Sequence, residues 1–267
     1  GIINFDYIIR LRISMTDIHT HTLYGLDDGS EGFEMSLKML SMASKGGTKN
    51  IILTPHCNIP GGYLNYMNST IADRFERLKA AAKEFVPDIN LYLGMEVYAS
   101  NDIPELLRRG MAITLNRSRY LLVEFNFGES PMYVFKVLQN IQRAGIVPVL
   151  AHPERYVFVQ QEPYIVFDLV RAGIIIQINR GSILGKFGLR PKAAADYLLK
   201  SGMVHIVASD GHKSYSRIPI LYDAYAEVER NYGKEYADML FKKNPQNILL
   251  DKSPAFLKAK LRYGKEF

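Results

Sequence analysis

The feature of this 267-residue chain that most restricts its fold is a series of seven short apolar runs separated by longer segments. Each run is rich in Val, Ile, Leu and Tyr. The runs are Thr16–His21, Asn50–Thr54, Asn90–Val97, Arg119–Phe125, Ile146–Ala151, Gly173–Ile178 and Met203–Ala208. Short, nearly continuous apolar runs are typical of strands in a parallel sheet whose faces are covered.

The segments between these runs have the apolar spacing of helices. Examples are Phe33–Lys45, Ile71–Phe85 and Pro131–Ala144, each of which places apolar residues on roughly one face. Alternating strands and helices predict an α/β fold, and seven repeats favour a closed or nearly closed parallel β/α barrel. A Gly-x-Gly-x-x-Gly motif does not follow the first run, which argues against a dinucleotide-binding fold.

Residues 15–267 are predicted to form a single barrel domain, because no linker or repeat indicates a second one. The preceding residues 1–14 are apolar, but they lack the basic start and the cleavage site of a signal peptide. Met15 directly precedes the first run and is the expected natural start. Residues 1–14 are therefore interpreted as an upstream extension or a non-native remnant.

The composition bears on the compartment and on the partners of the protein. A single cysteine excludes a disulfide framework and a thiolate zinc site, and it favours a cytoplasmic location. No apolar run approaches the roughly 20 residues that span a bilayer. The net charge of +6 suits an acidic partner, although a basic surface alone explains it equally well. Lys and Arg are scattered, so no nucleic-acid-binding stripe is indicated.

Five of the six histidines lie at or just after the C-terminal ends of predicted strands, and acidic residues accompany them. This set comprises His19, His21, Asp28, His56, Glu96, Glu124, His152, Asp210 and His212. Because the C-terminal ends of barrel strands meet at one rim, we expect these side chains to converge there. The sixth histidine, His205, lies inside a run and is assigned to the core.

Each of these residues also has a purely structural interpretation. A single buried histidine is more often a hydrogen-bonded core residue than a ligand. Glu96 and Glu124 lie inside apolar runs, where a carboxylate needs either a metal or an Arg or Lys partner. His19 and His21 are two positions apart on a strand, so both rings lie on one face and can reach one ion.

Imidazoles and carboxylates without a thiolate suit Zn²⁺, Mn²⁺ or Fe²⁺. Nine such residues are too many for one ion and are enough for two or three. Clustered cations activate water and neutralise phosphoryl oxygens, so phosphoester hydrolysis is the predicted reaction class.

Several motifs resemble those of the polymerase and histidinol phosphatase (PHP) superfamily along nearly the whole chain. They are Asp17-Ile18-His19-Thr20-His21, Asp27-Asp28-Gly29, Thr54-Pro55-His56, Gly94-Met95-Glu96, His152-Pro153-Glu154-Arg155-Tyr156 and Ser209-Asp210-Gly211-His212. Within the superfamily, the Asp-Asp-Gly and His-Pro-Glu-Arg-Tyr motifs resemble those of the bacterial CpsB/CapC/YwqE-type tyrosine phosphatases. The stretch from Asn179 to Gly188 is similar to theirs as well.

This resemblance implies a distorted seven-stranded β/α barrel with three divalent ions, often manganese, with iron or zinc as alternatives. It implies one ion held by His19, His21, Glu96 and Asp210, a second held by Glu96, Glu124 and His152, and a third held by Asp28, His56 and His212. The implied substrate is the phosphotyrosine tail of a bacterial tyrosine autokinase that controls capsule or exopolysaccharide synthesis.

Arg155 and Arg217 are the predicted phosphate-binding residues. Arg155 lies three residues after His152, and Arg217 lies five residues after His212. A planar guanidinium can bind a phosphate through two parallel hydrogen bonds. The alternative is that both are ordinary surface arginines.

Three further residues near these motifs were considered. Tyr24 and Tyr63 are candidate walls of a pocket for an aromatic ring. Cys57 is not a predicted nucleophile, because a thiol phosphatase needs an arginine six positions after the cysteine and Tyr63 stands there. Cys57 is therefore interpreted as a small residue that packs beside His56.

Three other functions were weighed against a tyrosine phosphatase. A histidinol-phosphate phosphatase shares most of the ligands, but the Asp-Asp-Gly motif and the stretch Gly181–Gly188 argue against it. A nuclease would need a basic track for the strand. A non-catalytic barrel protein would be expected to have lost ligands, whereas the set here is complete.

Overall fold

The computed structural model describes residues 14–256, so residues 1–14 of the predicted extension lie outside the described part except for Ser14. The described residues contain nine strands, and the paired strands are all parallel. The strands are β1 (Met15–Thr20), β2 (Thr48–Leu53), β3 (His56–Cys57), β4 (Asn90–Leu93), β5 (Glu96–Tyr98), β6 (Tyr120–Glu124), β7 (Val147–Ala151), β8 (Ile175–Asn179) and β9 (Ile206–Ala208). One sheet has the order β1-β2-β4, and the other has the order β3-β5-β6-β7-β8-β9.

Helices connect and follow these strands. They are α1 (Phe33–Lys45), α2 (Ser69–Phe85), α3 (Ile103–Arg108), α4 (Pro131–Arg143), α5 (Val157–Gln161), α6 (Val166–Arg171), α7 (Arg180–Ile183), α8 (Leu189–Lys200), α9 (Tyr222–Tyr232), α10 (Lys234–Asp238) and α11 (Asn244–Leu249). Short 3-10 turns span Leu115–Arg117, Pro153–Arg155 and Pro163–Ile165, and a π-helical turn spans Met239–Lys243. Within residues 14–256, none of the helices is long and apolar enough to cross a membrane.

Every predicted run overlaps a strand, which confirms the predicted α/β fold with parallel strands. The predicted number of seven strands needs a correction. After the second run, Pro55 separates β2 from β3, because proline has no N–H to continue a strand ladder. The third run is interrupted at Gly94 and Met95, between β4 and β5. The described chain therefore has nine strands in two sheets where one seven-stranded barrel was expected.

The apolar core has two parts, because successive side chains of a strand point to opposite faces. The smaller part draws on strands of both sheets. Its members include Ile18, Ile52, Leu122, Val149, Ile175 and Ile206. The larger part fills the space between the strands and the helices. Its members include Leu53, Leu150 and Ile176 from strands, and Leu40, Leu78, Val137 and Leu198 from helices. This packing holds the strands in register and brings their C-terminal ends together.

His205 is buried, as predicted, directly before β9. Its Nδ1 accepts a hydrogen bond from the Ile176 N–H at 2.9 Å, and its ring packs edge-on against Phe256. Its Nε2 is buried without a hydrogen-bond partner. Burial lowers the pKa of His205 from 6.5 to about 3, so the folded protein holds this ring neutral.

We expect this buried histidine to make folding stability fall in mild acid. Below pH 6.5 the unfolded chain binds a proton at His205 that the folded chain does not bind until about pH 3. Below pH 6.5 this difference in proton binding lowers the free energy of unfolding by about 1.4 kcal/mol per pH unit. The total loss between pH 7 and pH 5 is about 2 kcal/mol. In His205→Asn, the amide oxygen can still accept from the Ile176 N–H, but the side chain does not titrate.

The measurement is the free energy of unfolding in urea at pH 7 and pH 5 for both proteins. All other ionisable groups are common to the two, so the difference in pH dependence isolates His205. The expected result is that the variant loses about 2 kcal/mol less than the wild type over this range. An equal loss in both would show that His205 is protonated in the fold.

Candidate metal centre

The predicted metal ligands begin at the end of β1, where His19 lies in the strand, His21 directly follows it, and the two rings face each other. The two Nε2 atoms are 3.3 Å apart. Both face Glu96 of β5, with His19 Nε2 at 3.1 Å from its Oε1 and His21 Nε2 at 3.2 Å from its Oε2. Both also face Asp210, whose Oδ1 lies 3.4 Å and 3.5 Å from the same two nitrogens. The first strand therefore meets two other segments at its C-terminal end.

Glu96 lies at the centre of the group. Besides His19 and His21, its carboxylate contacts His56 Nδ1 at 3.1 Å and His152 Nε2 at 3.0 Å. Four imidazoles from three separate parts of the chain thus surround one carboxylate that is 1% exposed. No Arg or Lys pairs with Glu96 among the described residues, so the salt-bridge interpretation of this carboxylate is not supported.

The remaining predicted ligands lie on either side of this centre. Glu124 of β6 places Oε1 at 2.9 Å from His56 Nδ1 and Oε2 at 3.8 Å from His152 Nε2. On the more exposed side, Asp28 Oδ1 lies 3.5 Å from His56 Nε2 and 3.4 Å from His212 Nε2.

Ligand-type atoms lie within 4.8 Å of one another in four groups of the described residues. These groups are His21, Asp28, His56 and His212; His19, Glu96 and His152; His19, His21 and Asp210; and His56, Glu96 and Glu124. Together they contain all nine predicted ligands. The grouping differs from the one that the resemblance implies. His21 lies with Asp28, His56 and His212, His19 lies with Glu96 and His152, and His56 lies beside Glu96 and Glu124 as well as beside Asp28.

The residues fit divalent cations. Glu96 Oε2, His56 Nδ1 and His212 Nε2 are buried and make no hydrogen bond, although charged groups surround them. Leaving such atoms without a partner costs free energy, and a cation bound between them would supply one. Imidazoles and carboxylates without thiolates are the ligands that zinc, manganese and iron accept.

The electrostatics of the site keep its carboxylates ionised. Burial alone raises the pKa of Glu96, but the charges of His19 and His56, with hydrogen bonds from His152 and His19, hold that pKa well below its usual value. Burial likewise raises the pKa of Asp210, and the charges of Arg217, His19 and His212 more than reverse the effect. Both side chains are therefore available as anionic ligands.

Three site residues have left-handed backbone conformations, which non-glycine residues adopt rarely. They are His152 (φ 38°), Asp210 (φ 50°) and Arg217 (φ 47°). Each stands in the turn that follows a strand, and the reversal aims its side chain back over the strand ends. Such strained residues persist where the surrounding structure holds them, and they are typical of functional sites.

Arg155 and Arg217 lie on the same side of the centre, beside Asp210. Arg217 forms an ion pair with Asp210 Oδ2 through Nη2, and Arg155 Nη1 lies 3.7 Å from the same oxygen. The side chain of Arg155 is 19% exposed and that of Arg217 is 29% exposed, so both are partly buried beside the centre. The Arg155 guanidinium lies 4.4 Å from the ring centres of both Phe127 and Phe187.

An open cavity of about 450 Å³ adjoins Arg217. Phe187, Ser209 and Tyr215 are among the residues that line it. Of the two tyrosines considered as pocket walls, Tyr63 stacks on His56 with the ring planes 6° apart. The Tyr24 ring instead packs against Phe33 and Arg74.

The sequence analysis missed the residues that orient the ligands. Asp27 Oδ2 accepts hydrogen bonds from His21 Nδ1 at 2.8 Å and from the His56 N–H at 2.9 Å. On β8, Gln177 Oε1 accepts from His19 Nδ1 at 2.9 Å, and Asn179 Nδ2 donates to Asp210 Oδ2 at 2.6 Å. Such outer contacts fix ring orientation in metal sites. A signal was present, because Gln177 and Asn179 are polar residues two apart at the end of an apolar run.

Cys57 is fully buried in the apolar core beside His56. Burial raises the pKa of its thiol to about 12, so the thiolate is not populated at neutral pH. This confirms the interpretation of Cys57 as a core residue.

The chain is similar to known proteins along most of its length. A family model described as capsular polysaccharide synthesis, CpsB/CapC, matches residues 15–250. The tyrosine-protein phosphatase CpsB of Streptococcus pneumoniae is 34% identical over 242 residues, which cover 89% of this chain and 99% of that protein. The tyrosine-protein phosphatase YwqE of Bacillus subtilis is 32% identical over 227 residues, covering 85% of this chain and 88% of that protein.

Solved structures show the same similarity. A crystal structure from the study of YwqE from Bacillus subtilis and CpsB from Streptococcus pneumoniae, described as unique metal-dependent tyrosine phosphatases, matches with a TM-score of 0.84 and 30% identity. The match covers 91% of this chain and 97% of that one. A phosphotriesterase homology protein from Escherichia coli matches with a TM-score of 0.57 at 11% identity, which is a likeness of fold alone.

Proposed function

Because the chain belongs to the CpsB/CapC family of capsular polysaccharide synthesis proteins, we propose that it is a metal-dependent phosphatase that hydrolyses phosphotyrosine in proteins. The observation that carries the proposal is the convergence of nine metal-type ligands with two partly buried arginines at one edge of the sheets. Cations and guanidinium groups placed side by side match the charge of a phosphoryl group.

In this proposal three divalent ions bind, manganese being the preferred metal with iron or zinc as alternatives. His19, His21, Glu96 and Asp210 would hold one ion. Glu96, Glu124 and His152 would hold the second, and Asp28, His56 and His212 would hold the third. Two observations support this division: Glu96 belongs to two of the four ligand groups, as a shared ligand would, and Asp28, His56 and His212 lie together in one group. When bound, such ions activate water as a nucleophile and neutralise charge on phosphoryl oxygens.

The protein side chains bind and orient the substrate. The guanidinium groups of Arg155 and Arg217 are placed to donate hydrogen bonds to the phosphoryl oxygens and to stabilise the charge that develops on them. Asp210 holds Arg217 through its ion pair. The Tyr63 ring, stacked on His56 at the mouth of the site, offers a surface for the aromatic ring of the substrate.

We also propose that the two sheets together act as one distorted barrel of seven strand positions. β2 and β3 are consecutive along the chain, as are β4 and β5, so each pair occupies one position. The end of β1 is joined to the segment after β9 by hydrogen bonds from the Asp210 N–H to the His19 carbonyl at 2.9 Å and from the His21 N–H to the Gly211 carbonyl at 2.8 Å. The smaller apolar cluster, with members from both sheets, would be the barrel interior.

The proposed partner is the phosphotyrosine tail of a bacterial tyrosine autokinase that controls capsule or exopolysaccharide synthesis, with the cytoplasm as the site of action. The family description and the named relatives support this partner. An extended tail suits the site, because the arginines and the adjoining cavity lie at an open rim.

The experiment that tests the function compares two substrates with the protein as purified. We expect turnover of a tyrosine-phosphorylated peptide, its loss on adding chelator, and its recovery with Mn²⁺. Histidinol phosphate under the same conditions should be a poor substrate. A clear preference for histidinol phosphate, or activity that survives removal of all bound metal, would contradict the proposal.

The same assay separates metal chemistry from thiol chemistry. Cys57→Ala leaves no polar group in the apolar core and is expected to keep activity within about threefold of wild type, as for a substitution that removes no transition-state contact. An inactive Cys57→Ala protein with unchanged metal content would show that the thiol takes part in the reaction.

A further inference from the structure

The Asn179–Gly188 stretch contains an aromatic residue that the proposed function does not yet explain. Phe187 lies in the loop between α7 and α8 and reaches both phosphate-binding arginines. Its ring centre is 4.4 Å from the Arg155 guanidinium carbon and 5.8 Å from that of Arg217. Phe127 contacts Arg155 from the β6–α4 loop at the same distance of 4.4 Å. Two rings from different loops therefore hold one guanidinium.

Arg155 needs such support because a competing partner lies close by. Asp210 Oδ2 is only 3.7 Å from Arg155 Nη1, and Arg217 already pairs with the same oxygen. A free Arg155 side chain would be drawn to this buried carboxylate and would then offer fewer N–H groups to a phosphate. A guanidinium over aromatic faces gains a cation–π interaction, and it loses less entropy when the phosphate binds.

The fold makes room for Phe187 at one glycine. A Cβ atom at Gly181 would lie 2.6 Å from Phe187 Cε2 and 2.8 Å from Cζ, closer than two carbon atoms can approach. The loop returns over α7 because the Lys186 N–H donates to the Gly181 carbonyl at 2.8 Å. The Phe187 ring therefore packs directly against the backbone of Gly181, which has no side chain.

The same short helix is tied to the turn that carries Arg155. The hydroxyl of Ser182 donates to Glu154 Oε1 at 2.6 Å, and the Asn179 N–H donates to the same oxygen at 3.0 Å. Glu154 is fully buried and directly precedes Arg155. The distance between Phe187 and Arg155 is therefore set by a continuous chain of contacts.

We propose that Phe187 is a positioning residue for Arg155 and Arg217, and that Gly181 is required because only a glycine lets the Phe187 ring reach them. The proposal rests on the proposed phosphatase function and assigns a role to the part of the motif around these two residues. Phe187 does not touch the metal ligands in this role; it acts through the arginines.

The test uses the full-length, metal-loaded protein and a phosphotyrosine peptide. Phe187→Leu keeps an apolar side chain but removes the ring, and kcat is expected to fall about tenfold with KM changed by less than about threefold. Gly181→Ala should lower kcat at least as much. Leu189→Ala, two residues beyond Phe187 and 87% exposed, is the matched control and should behave like wild type. Bound metal should be unchanged in all three.

A double-variant comparison distinguishes positioning from a general structural role. In an Arg155→Ala background, Phe187→Leu should cost less than about twofold more, because the guanidinium nearer the ring, at 4.4 Å against 5.8 Å for Arg217, is already absent. Gly181→Ala combined with Phe187→Leu should be no worse than Phe187→Leu alone, since the clash is relieved.

Several outcomes would overturn the proposal while the wild type remains active. These are a Phe187→Leu rate within twofold of wild type, a full tenfold loss that persists without Arg155, or a loss that follows reduced metal content. Failure of the wild type itself to hydrolyse phosphotyrosine would instead refute the proposed function.

Discussion

Replacement of Glu96 by alanine is expected to abolish phosphatase activity and to remove most of the bound metal. Glu96 contacts four imidazoles at 3.0 to 3.2 Å, more than any other predicted ligand, and it is 1% exposed. Without it, two proposed ions lose a shared ligand, and the histidines around it face one another with no charge between them. The loss of rate should exceed the roughly 10²–10³-fold that removal of one preorganised contact costs.

The measurement combines metal analysis of the purified variant with turnover of a phosphotyrosine peptide. Glu105→Ala is the matched control, because Glu105 is an exposed glutamate that pairs only with Arg108 on α3. Circular dichroism of both variants checks that they fold. If Glu96→Ala kept wild-type metal content and rate, the shared ligand would have to be another residue.

Replacement of Arg155 is expected to give the second largest effect, and of a different kind. Arg155→Ala should lower kcat about 10²–10³-fold, or roughly 3–4 kcal/mol, because it removes a preorganised donor to the phosphoryl oxygens. Metal content should stay at the wild-type level, since arginine is not a metal ligand and the Arg155 side chain lies 3.7 Å from Asp210, while its backbone N–H bond to the His152 carbonyl is kept in the variant.

Arg155→Lys should recover the rate only in part. A lysine keeps the positive charge, but it lacks the planar fork that binds two oxygens and that lies over Phe127 and Phe187. The values of kcat and KM on the same peptide, with metal analysis of each sample, decide the matter. If the Arg155→Ala rate stayed within about threefold of wild type, the loss expected for such a donor would be absent. The phosphate-binding role would then belong to Arg217 alone.

The site could be predicted largely because its ligands are chemically out of place in their local sequence. Glu96 and Glu124 are carboxylates inside apolar runs, and histidines recur after strands in a chain that has only six. Parallel strands carry such residues to one edge whatever the details of the fold. Strand positions and ligand types are properties of short segments, so the sequence reveals them.

The residues that were missed depend on distances between segments. Gln177 and Asn179 orient His19 and Asp210, and these pairs are joined only when β1, β8 and the turn after β9 come together. Asp27 orients the nearby His21, but it also accepts from the His56 N–H of another segment. The alternation of side chains along a strand tells which face of the sheet each one occupies. It does not tell which atom of another strand the side chain contacts. For the same reason, the position of His56 beside Glu124 as well as Asp28 was not foreseen.

The sequence alone was enough to predict the α/β class, the series of parallel strands and the chemical types of the metal ligands. It also argued against a thiol nucleophile. Only the tertiary structure shows where the strands predicted from the second and third apolar runs are interrupted. It also shows which carboxylate lies at the centre of four imidazoles. It also decided that Phe187 lies against Arg155, which requires a glycine at position 181. Local patterns in the sequence indicate the secondary structure of each segment. Contacts between residues 30 or more positions apart, such as Arg155 and Phe187, form only when the segments pack together.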